Sequence, residues 1–185
     1  MIAVMHRRAW GQTNQGHHQM KTADGVDTPD LRQRTIADFG GQWTRYTENK
    51  GFYAAVEVLV DTLRPLLPLS AFAGKRVAEI GSGTGRIVGM LLAAGAGQVV
   101  AVEPSQAVEV LRQNLKNDLH RVEILHVRGD AIPPGLDLDF VVSIGVLHHI
   151  PDPAPVVSAV WKALRPGGNA PSGCMVGKAI AWLSS

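Results

Sequence analysis

Three glycines, Gly81, Gly83 and Gly85, stand at alternate positions between a short apolar run and a run with helical periodicity. Glycine lets the main chain approach a ligand closely, and the start of a helix offers backbone N–H groups without partners. A loop of this kind is either a cradle for a nucleotide-like ligand or an ordinary tight turn. The glycines leave both interpretations open, and the polar residues around them decide which is favoured.

Carboxylates flank the loop at spacings that suit such a ligand. Glu103 follows 18 residues beyond Gly85, where an acidic group can accept hydrogen bonds from both hydroxyls of a ribose; a solvated surface glutamate is the alternative. Asp130, in the segment RGDA, either lies at the same rim or simply turns the chain. Glu79 precedes the glycines, and its charge would repel a pyrophosphate but attract an amino group. Because Arg86 replaces the third glycine of the dinucleotide fingerprint G-x-G-x-x-G, the pattern favours a cationic amino-acid nucleoside over a dinucleotide.

These residues need a scaffold, and the chain after Lys75 alternates between strand-like and helix-like segments. The predicted strands are Arg76–Ile80, Gln98–Glu103, Val122–Val127 and Phe140–Ile144, and the predicted helices are Thr84–Ala94, Ser105–Asn117 and Ala154–Leu164. This alternation predicts an α/β fold, a Rossmann-like open parallel sheet with helices on both faces. Ligands of such sheets bind beyond the carboxyl ends of the strands, so the glycine loop, Glu103 and Asp130 should meet at one edge.

The segments before this core differ from it in composition. Residues 1–34 have few large aliphatic side chains and no periodicity, which predicts a disordered leader. Residues 35–74 should form an N-terminal helical cap that contains an amphipathic helix from Phe52 to Leu67. The predicted ligand-binding core then runs over residues 75–168.

Residues 169–185 form an atypical tail in which Pro171, Gly173 and Gly177 argue against a fifth central strand. The C-terminal strands are therefore predicted to be incomplete, which would leave Phe140–Ile144 as an exposed edge open to self-association. A shifted reading frame, a truncated gene or a divergent short protein would each produce this break. We expect marginal folding stability from it.

Composition narrows the class of protein further. The 185 residues carry a formal charge of +2 without a dense run of Lys or Arg, which predicts no nucleic-acid partner. No apolar run approaches the roughly 20 residues that span a bilayer. The single cysteine, Cys174, suits a reducing cytoplasm. His17 and His18 lack further ligands at a matching spacing, so no metal site is predicted.

Five motifs in order carry a resemblance to a known family: EIGSGTG, VVAVEPS, RGDA, DFVVSIGVLHHIPDP and LRPGG. Between Lys75 and Gly168 the chain resembles the class I S-adenosylmethionine-dependent methyltransferases, and more narrowly the type 11 group with its VLHH-x-PDP segment. The upstream FGGQWTRY also resembles a leader of some members. The resemblance implies S-adenosylmethionine as cofactor and a small-molecule or lipid-like methyl acceptor.

The resemblance also implies roles for individual residues. In order along the cofactor, Glu79 with Gly81, Ser82, Gly83 and Gly85 would hold the methionine portion, Glu103 beside Pro104 the ribose, Asp130 and Ala131 the adenine edge, and Ile144 and Gly145 the pocket near the sulfonium. His148 and His149 would stand at the mouth, where either could act as a base if the acceptor loses a proton. The alternative is that one histidine packs against the next helix while the other is solvated.

Two aromatic residues upstream, Trp43 and Tyr46, either cover the site as a lid or anchor the leader to the sheet. For the whole chain the alternative to an active methyltransferase is a truncated, non-catalytic remnant that binds cofactor or nothing. An NAD-dependent oxidoreductase is less favoured because of Arg86.

Overall fold

The protein is described from a computed structural model, which covers residues 2–5, 29–45, 47–64 and 67–166. For residues 2–5 and 29–32 the backbone alone is described. The predictions that concern His17, His18, Tyr46 and the tail 169–185 fall outside the described residues.

Strands and helices alternate along the described chain. The strands are β1 (Ile2–Met5), β2 (Arg76–Ile80), β3 (Gln98–Val102), β4 (Val122–Leu125) and β5 (Phe140–Ile144). The α-helices are α1 (Pro29–Trp43), α2 (Val56–Leu63), α3 (Arg86–Ala93), α4 (Ala107–Asn114) and α5 (Ala154–Ala163), with short 3-10 turns between them.

The strands form one sheet in the order β1-β5-β2-β3-β4. The four strands β5, β2, β3 and β4 are parallel, with Val77 opposite both Val99 and Phe140. The predicted Rossmann-like parallel sheet is confirmed. Because the carboxyl ends of β2, β3 and β5 lie along one edge, the loops that follow these strands share that edge.

Alternate residues of each strand bury themselves in two separate cores, one on each face of the sheet. On the first face Val77, Val99 and Val142 pack with α2, α3, α4 and Phe72, whose ring lies 5.3 Å from that of Phe140. On the second face Ala78, Val100 and Val141 pack with α5. A sheet covered on both faces explains why its strands are continuous apolar runs.

The helices are shorter than their predicted spans. Helices α3 and α4 begin at Arg86 and Ala107, two residues later than predicted, because the residues before them belong to the loops that carry the polar groups of the site. The amphipathic helix predicted from Phe52 begins only at Val56, because Gly51–Ala54 forms a separate 3-10 turn. Strand ends also shorten, so that Glu103 lies just beyond β3.

The predicted disordered leader, residues 1–34, is not supported by the structure at either end. Ile2–Met5 forms β1, which pairs antiparallel with β5, and Pro29–Trp43 forms α1. The expected exposed edge at Phe140–Ile144 is therefore covered within the chain, with Ile2 opposite Ile144 and Met5 opposite Val141. The physical reason is that an unpaired strand edge satisfies its backbone groups with any available extended segment, and the short apolar IAVM provides one.

Candidate functional site

The glycine loop crosses the carboxyl edge of the sheet between β2 and α3. Gly81, Gly83 and Gly85 have φ values of +76°, +51° and +81°, in the left-handed region that favours glycine. A Cβ on Gly81 would also lie 2.5 Å from a methyl carbon of Val146, so no larger residue fits there. The N–H groups of Gly81 and Ser82 both donate to the carbonyl of Val102, which fixes the loop to the end of β3.

Glu103 anchors the same loop through its side chain. Its Oε2 accepts a hydrogen bond from the Gly83 N–H at 2.7 Å, and its Oε1 accepts one from the Ser105 N–H at 2.9 Å. The residue is 6% exposed. Since each carboxylate oxygen can accept a second hydrogen bond, Glu103 can hold the loop and still bind a ribose hydroxyl.

Glu79, near the end of β2, differs from Glu103 because one of its carboxyl oxygens accepts no hydrogen bond from the described residues. It is 2% exposed, and its Oε2 has no hydrogen-bond partner among the described residues. Burial raises the pKa of this carboxyl group to about 8, a hydrogen bond with Ser82 and the charge of Arg86 act against the rise, and the charge of Glu103 adds to it. A buried oxygen without a partner is costly unless a ligand supplies a donor.

Asp130 lies at the same edge of the sheet as Glu79 and Glu103, in the 3-10 turn Gly129–Ala131 after β4. Arg128 donates to both of its carboxylate oxygens, from Nε at 3.0 Å and from Nη2 at 2.6 Å. This two-point contact fixes the plane of the carboxylate. It also raises the pKa of the Arg128 guanidinium.

These groups surround one open cavity of about 210 Å³ at the carboxyl edge of the sheet. A single buried water needs roughly 10–15 Å³, so the cavity has room for a ligand. The predicted site residues that line it are Glu79, Gly81, Ser82, Gly83, Glu103, Pro104, Asp130, Ile144, Gly145 and His149.

Three predicted residues do not line the cavity. Gly85 immediately precedes α3, and a Cβ there would lie 3.0–3.3 Å from Leu111 of α4 and from Leu115 just beyond it, so this glycine serves the packing of two helices. Ala131 is exposed beside Asp130, and His148 is exposed and does not line the cavity although it follows the same strand as Ile144 and Gly145.

The two histidines differ in their surroundings. His149 contacts the ring of Phe39 at a centroid distance of 4.7 Å, and His148 lies 3.8 Å from His149. Partial desolvation, and then the charge of His149, lower the pKa of His148. Of the pair, only His149 lines the cavity.

Helix α1 forms one wall of the site. The sequence predicted a helical cap over residues 35–74 and offered Trp43 as a lid, but it did not predict this helix or its other lining residues. Thr35, Ile36, Phe39 and Trp43 line the cavity, and the Trp43 indole lies over Gly83, 3.7 Å from where a Cβ would stand. The signal was present in the spacing of Ile36, Phe39 and Trp43 at three and four residues, but the glycines Gly40 and Gly41 obscured it.

The segment after α1 is tied to the glycine loop by side-chain amides. Asn49 Nδ2 donates to the Thr84 carbonyl at 2.9 Å, and the Thr84 hydroxyl donates to Asn49 Oδ1 at 2.8 Å. Asn114 Nδ2 donates to the carbonyls of Thr84 and Thr47. These bonds hold the 3-10 turn Gly51–Ala54 beside the start of α3.

Within the described ranges no cluster of three or more His, Cys, Asp or Glu side chains could hold a metal ion. None of the described helices is both long enough and apolar enough to cross a bilayer.

A family model described as "Methyltransferase domain" matches residues 78–170, half of the 185-residue chain. The matched part contains the whole glycine loop, Glu103, Asp130 and all of β5.

Curated relatives of more than one kind are similar to this chain. A tRNA U34 carboxymethyltransferase of Chromohalobacter salexigens is 35% identical over 107 residues, 55% of this chain and 32% of that protein. A ubiquinone biosynthesis O-methyltransferase of Aromatoleum aromaticum is 35% identical over 103 residues, 54% of this chain and 44% of that protein. This chain thus spans less than half the length of either relative.

Among solved structures, the crystal structure of the cyclase SpnF matches with a TM-score of 0.51 and 21% identity, over 65% of this chain and 46% of that chain. This likeness concerns the fold alone.

The relatives correct one prediction made from the sequence. The low net charge and the absence of a basic run predicted no nucleic-acid partner, but several similar proteins are named for tRNA. The prediction is wrong because the charge of a single domain reports poorly on acceptors that a longer protein can bind with other parts of its chain.

Proposed function

This chain belongs to the class I S-adenosylmethionine-dependent methyltransferases, similar to the type 11 group, and we propose that it binds S-adenosylmethionine at the carboxyl edge of its sheet and transfers the methyl group to a small molecule. S-adenosylmethionine is the cofactor of this family.

The observation that carries the proposal is the pair of buried carboxylates in one cavity. Glu103 is held by two backbone donors, whereas Glu79 Oε2 has no partner among the described residues. An amino-acid ammonium would supply the missing donor and a positive charge in a desolvated place, where charge-assisted hydrogen bonds are strongest. A ligand with an amino acid at one end and a ribose at the other fits both groups.

The remaining contacts follow from the order of the residues along the rim. The left-handed backbone at Gly81 and Gly83 lets the methionine portion lie against the main chain. Glu103 binds the ribose hydroxyls beside Pro104, and Asp130, oriented by Arg128, accepts a hydrogen bond from the adenine amino group. Ile144, at the end of β5, and Gly145 after it line the cavity. In the proposed arrangement they lie nearest the sulfonium.

The protein's part in the reaction is mainly alignment. The sulfonium supplies a methyl group that is already activated, so the site has to hold an acceptor in line with it and exclude water. Phe39 and Ile36 of α1 and Ile150 line the cavity with apolar surface. His149, which lines the same cavity, is placed to accept a proton from a hydroxyl acceptor, and His148 supports its ring.

The binding half of the proposal is tested by calorimetric titration with S-adenosylhomocysteine. Glu79→Gln keeps the size of the side chain but cannot ionise to pair with the ammonium of the ligand, and we expect affinity to fall about tenfold or more, the value of a hydrogen bond to a charged group. Glu109→Gln, on the exposed face of α4, is the matched control and should bind as the wild type does. A folded wild-type chain that binds no S-adenosylhomocysteine would refute the site.

The acceptor half is tested with methyl-labelled S-adenosylmethionine and cell extract separated into small molecules and tRNA. Support for a small acceptor comes from the apolar wall of α1 and from the relatives named for ubiquinone biosynthesis. Label in the tRNA fraction would select the competing acceptor, which the tRNA-named relatives favour. Binding without any transfer would select the non-catalytic alternative.

The cytoplasm is the location we propose, since the lone Cys174 suits a reducing compartment.

A further inference from the structure

Two guanidinium groups line the cavity, and they are not equivalent. Arg128 is engaged with both carboxylate oxygens of Asp130. Arg86, the first residue of α3, forms no ion pair within the part of the chain that the structure describes. Its charge acts on Glu79, where it lowers the pKa of the buried carboxyl group against the effect of burial.

Arg86 is held in place from one side by Tyr53. Its guanidinium carbon lies 4.2 Å from the centroid of the Tyr53 ring, and its Nη1 donates to the Tyr53 carbonyl at 3.2 Å. Stacking on an aromatic ring fixes the plane of a guanidinium without using its other donors. Tyr53 in turn belongs to the segment that Asn49 ties to Thr84 of the glycine loop.

We propose that Arg86 binds the α-carboxylate of the cofactor, so that Glu79 and Arg86 together recognise the two charges of its amino acid. The inference rests on the proposed function and adds a binding residue to it. Tyr53 is a positioning residue that acts through Arg86.

The chemistry of the two groups favours an amino acid over other anionic ligands. A phosphate near Arg86 would also meet the carboxylates of Glu79 and Glu103, both of which line the cavity. A zwitterion pairs with both signs at once. A guanidinium fork matches the two oxygens of a carboxylate better than a lysine ammonium would, which distinguishes Arg86 from a group that merely supplies charge.

The test compares two ligands that differ only in the amino-acid end. S-adenosylhomocysteine carries the amino acid, whereas 5′-methylthioadenosine keeps the adenosine and the thioether without it. For Arg86→Met we expect the affinity for S-adenosylhomocysteine to fall about tenfold or more, and the affinity for 5′-methylthioadenosine to stay within about twofold. Arg86→Lys should give an intermediate loss.

Two further variants separate the role of Arg86 from general effects. Arg112→Met removes the same charge from the exposed face of α4 and should leave both affinities unchanged. Tyr53→Leu should weaken only the binding of S-adenosylhomocysteine, by less than Arg86→Met does, and should have little further effect when combined with it. Thermal melts of every variant identify any that fails to fold, in which case Arg86→Lys carries the comparison.

The outcomes are distinguishable from failure of the proposed function. If the wild type binds neither ligand, the site itself is refuted. If the wild type binds both and Arg86→Met loses both equally, or neither, the carboxylate assignment is overturned while the site survives. If ligand binding is unchanged but transfer is lost, Arg86 serves the acceptor, and the assignment is also overturned.

Discussion

At the scale of single residues, two glutamates of the same type at neighbouring strand ends differ because their surroundings differ. Backbone donors from Gly83 and Ser105 satisfy Glu103. Glu79 is buried with its Oε2 unpartnered among the described residues, and burial raises its pKa to about 8. Sequence spacing predicted both positions, but it could not predict which carboxylate is already satisfied, since that depends on where the loop N–H groups point.

The raised pKa of Glu79 makes the stability of the ligand-free protein depend on pH. The folded protein holds this proton up to about pH 8, whereas the unfolded chain releases it near pH 4.5. The folded state therefore binds more protons between these values, and the free energy of unfolding falls as pH rises, by up to about 5 kcal/mol at 1.36 kcal/mol per pKa unit.

For Glu79→Gln we expect this pH dependence to disappear. Urea unfolding at pH 5 should give similar stabilities for variant and wild type, and at pH 8 the variant should be more stable by a few kcal/mol. Glu109→Gln should follow the wild type at both values. Parallel profiles for Glu79→Gln and wild type would show that the carboxyl group is ionised throughout.

At the scale of elements, helix α1 forms one wall of the site, and its packing against Ser105 depends on Gly40. A Cβ on Gly40 would lie 2.8 Å from the Cβ of Ser105, whereas a Cβ on Gly41 would meet nothing within 4 Å. The Ser105 N–H also donates a hydrogen bond to Glu103. A displacement of Ser105 would therefore also displace the Glu103 carboxylate in the site.

The neighbouring glycines provide a matched pair of substitutions. Gly41→Ala should raise the free energy of unfolding by up to about 1 kcal/mol, because alanine favours the helix. Gly40→Ala gains the same propensity but forces α1 away from Ser105, so it should lower the affinity for S-adenosylhomocysteine and speed trypsin cleavage at Arg34 and Arg45. Equal affinity in the two variants would mean that α1 does not cover the ligand.

The sequence predicted the four parallel strands well, with Arg76–Ile80 and Phe140–Ile144 exact, because strands buried on both faces are unbroken apolar runs. A helical cap was predicted over residues 35–74, but the helix α1 itself was not, because Ile36, Phe39 and Trp43 are too few to dominate a polar segment that contains two glycines. These three side chains line the cavity rather than pack on a neighbouring helix, and a local sequence pattern does not reveal a cavity. Strand β1 was missed for a similar reason, since four residues become a strand only beside the open edge of β5.

At the scale of the whole molecule, the cavity lies where β2, β3, β5 and α1 converge, so a bound ligand joins elements that are distant in sequence. Any ligand that binds only the folded state adds to its stability. At a concentration one hundred times its dissociation constant the gain is about 2.7 kcal/mol, which for a chain of this size corresponds to a rise in Tm of roughly 5–11 °C.

We expect this rise to depend on pH through Glu79. The ammonium of S-adenosylhomocysteine pairs best with an ionised carboxylate, but below pH 8 the free protein holds Glu79 protonated, so binding must first release that proton. At a fixed ligand concentration the rise in Tm should therefore be larger at pH 8 than at pH 6. Calorimetry at pH 6.5 in two buffers of different ionisation enthalpy should detect the released proton directly.

Glu79→Gln should remove both effects, since an amide has no proton to release. 5′-Methylthioadenosine, which has no ammonium, should raise the Tm by the same amount at pH 6 and pH 8 with the wild type. A pH trend of equal size for both ligands would assign the linkage to a group other than Glu79 and would remove Glu79 from the binding of the amino acid.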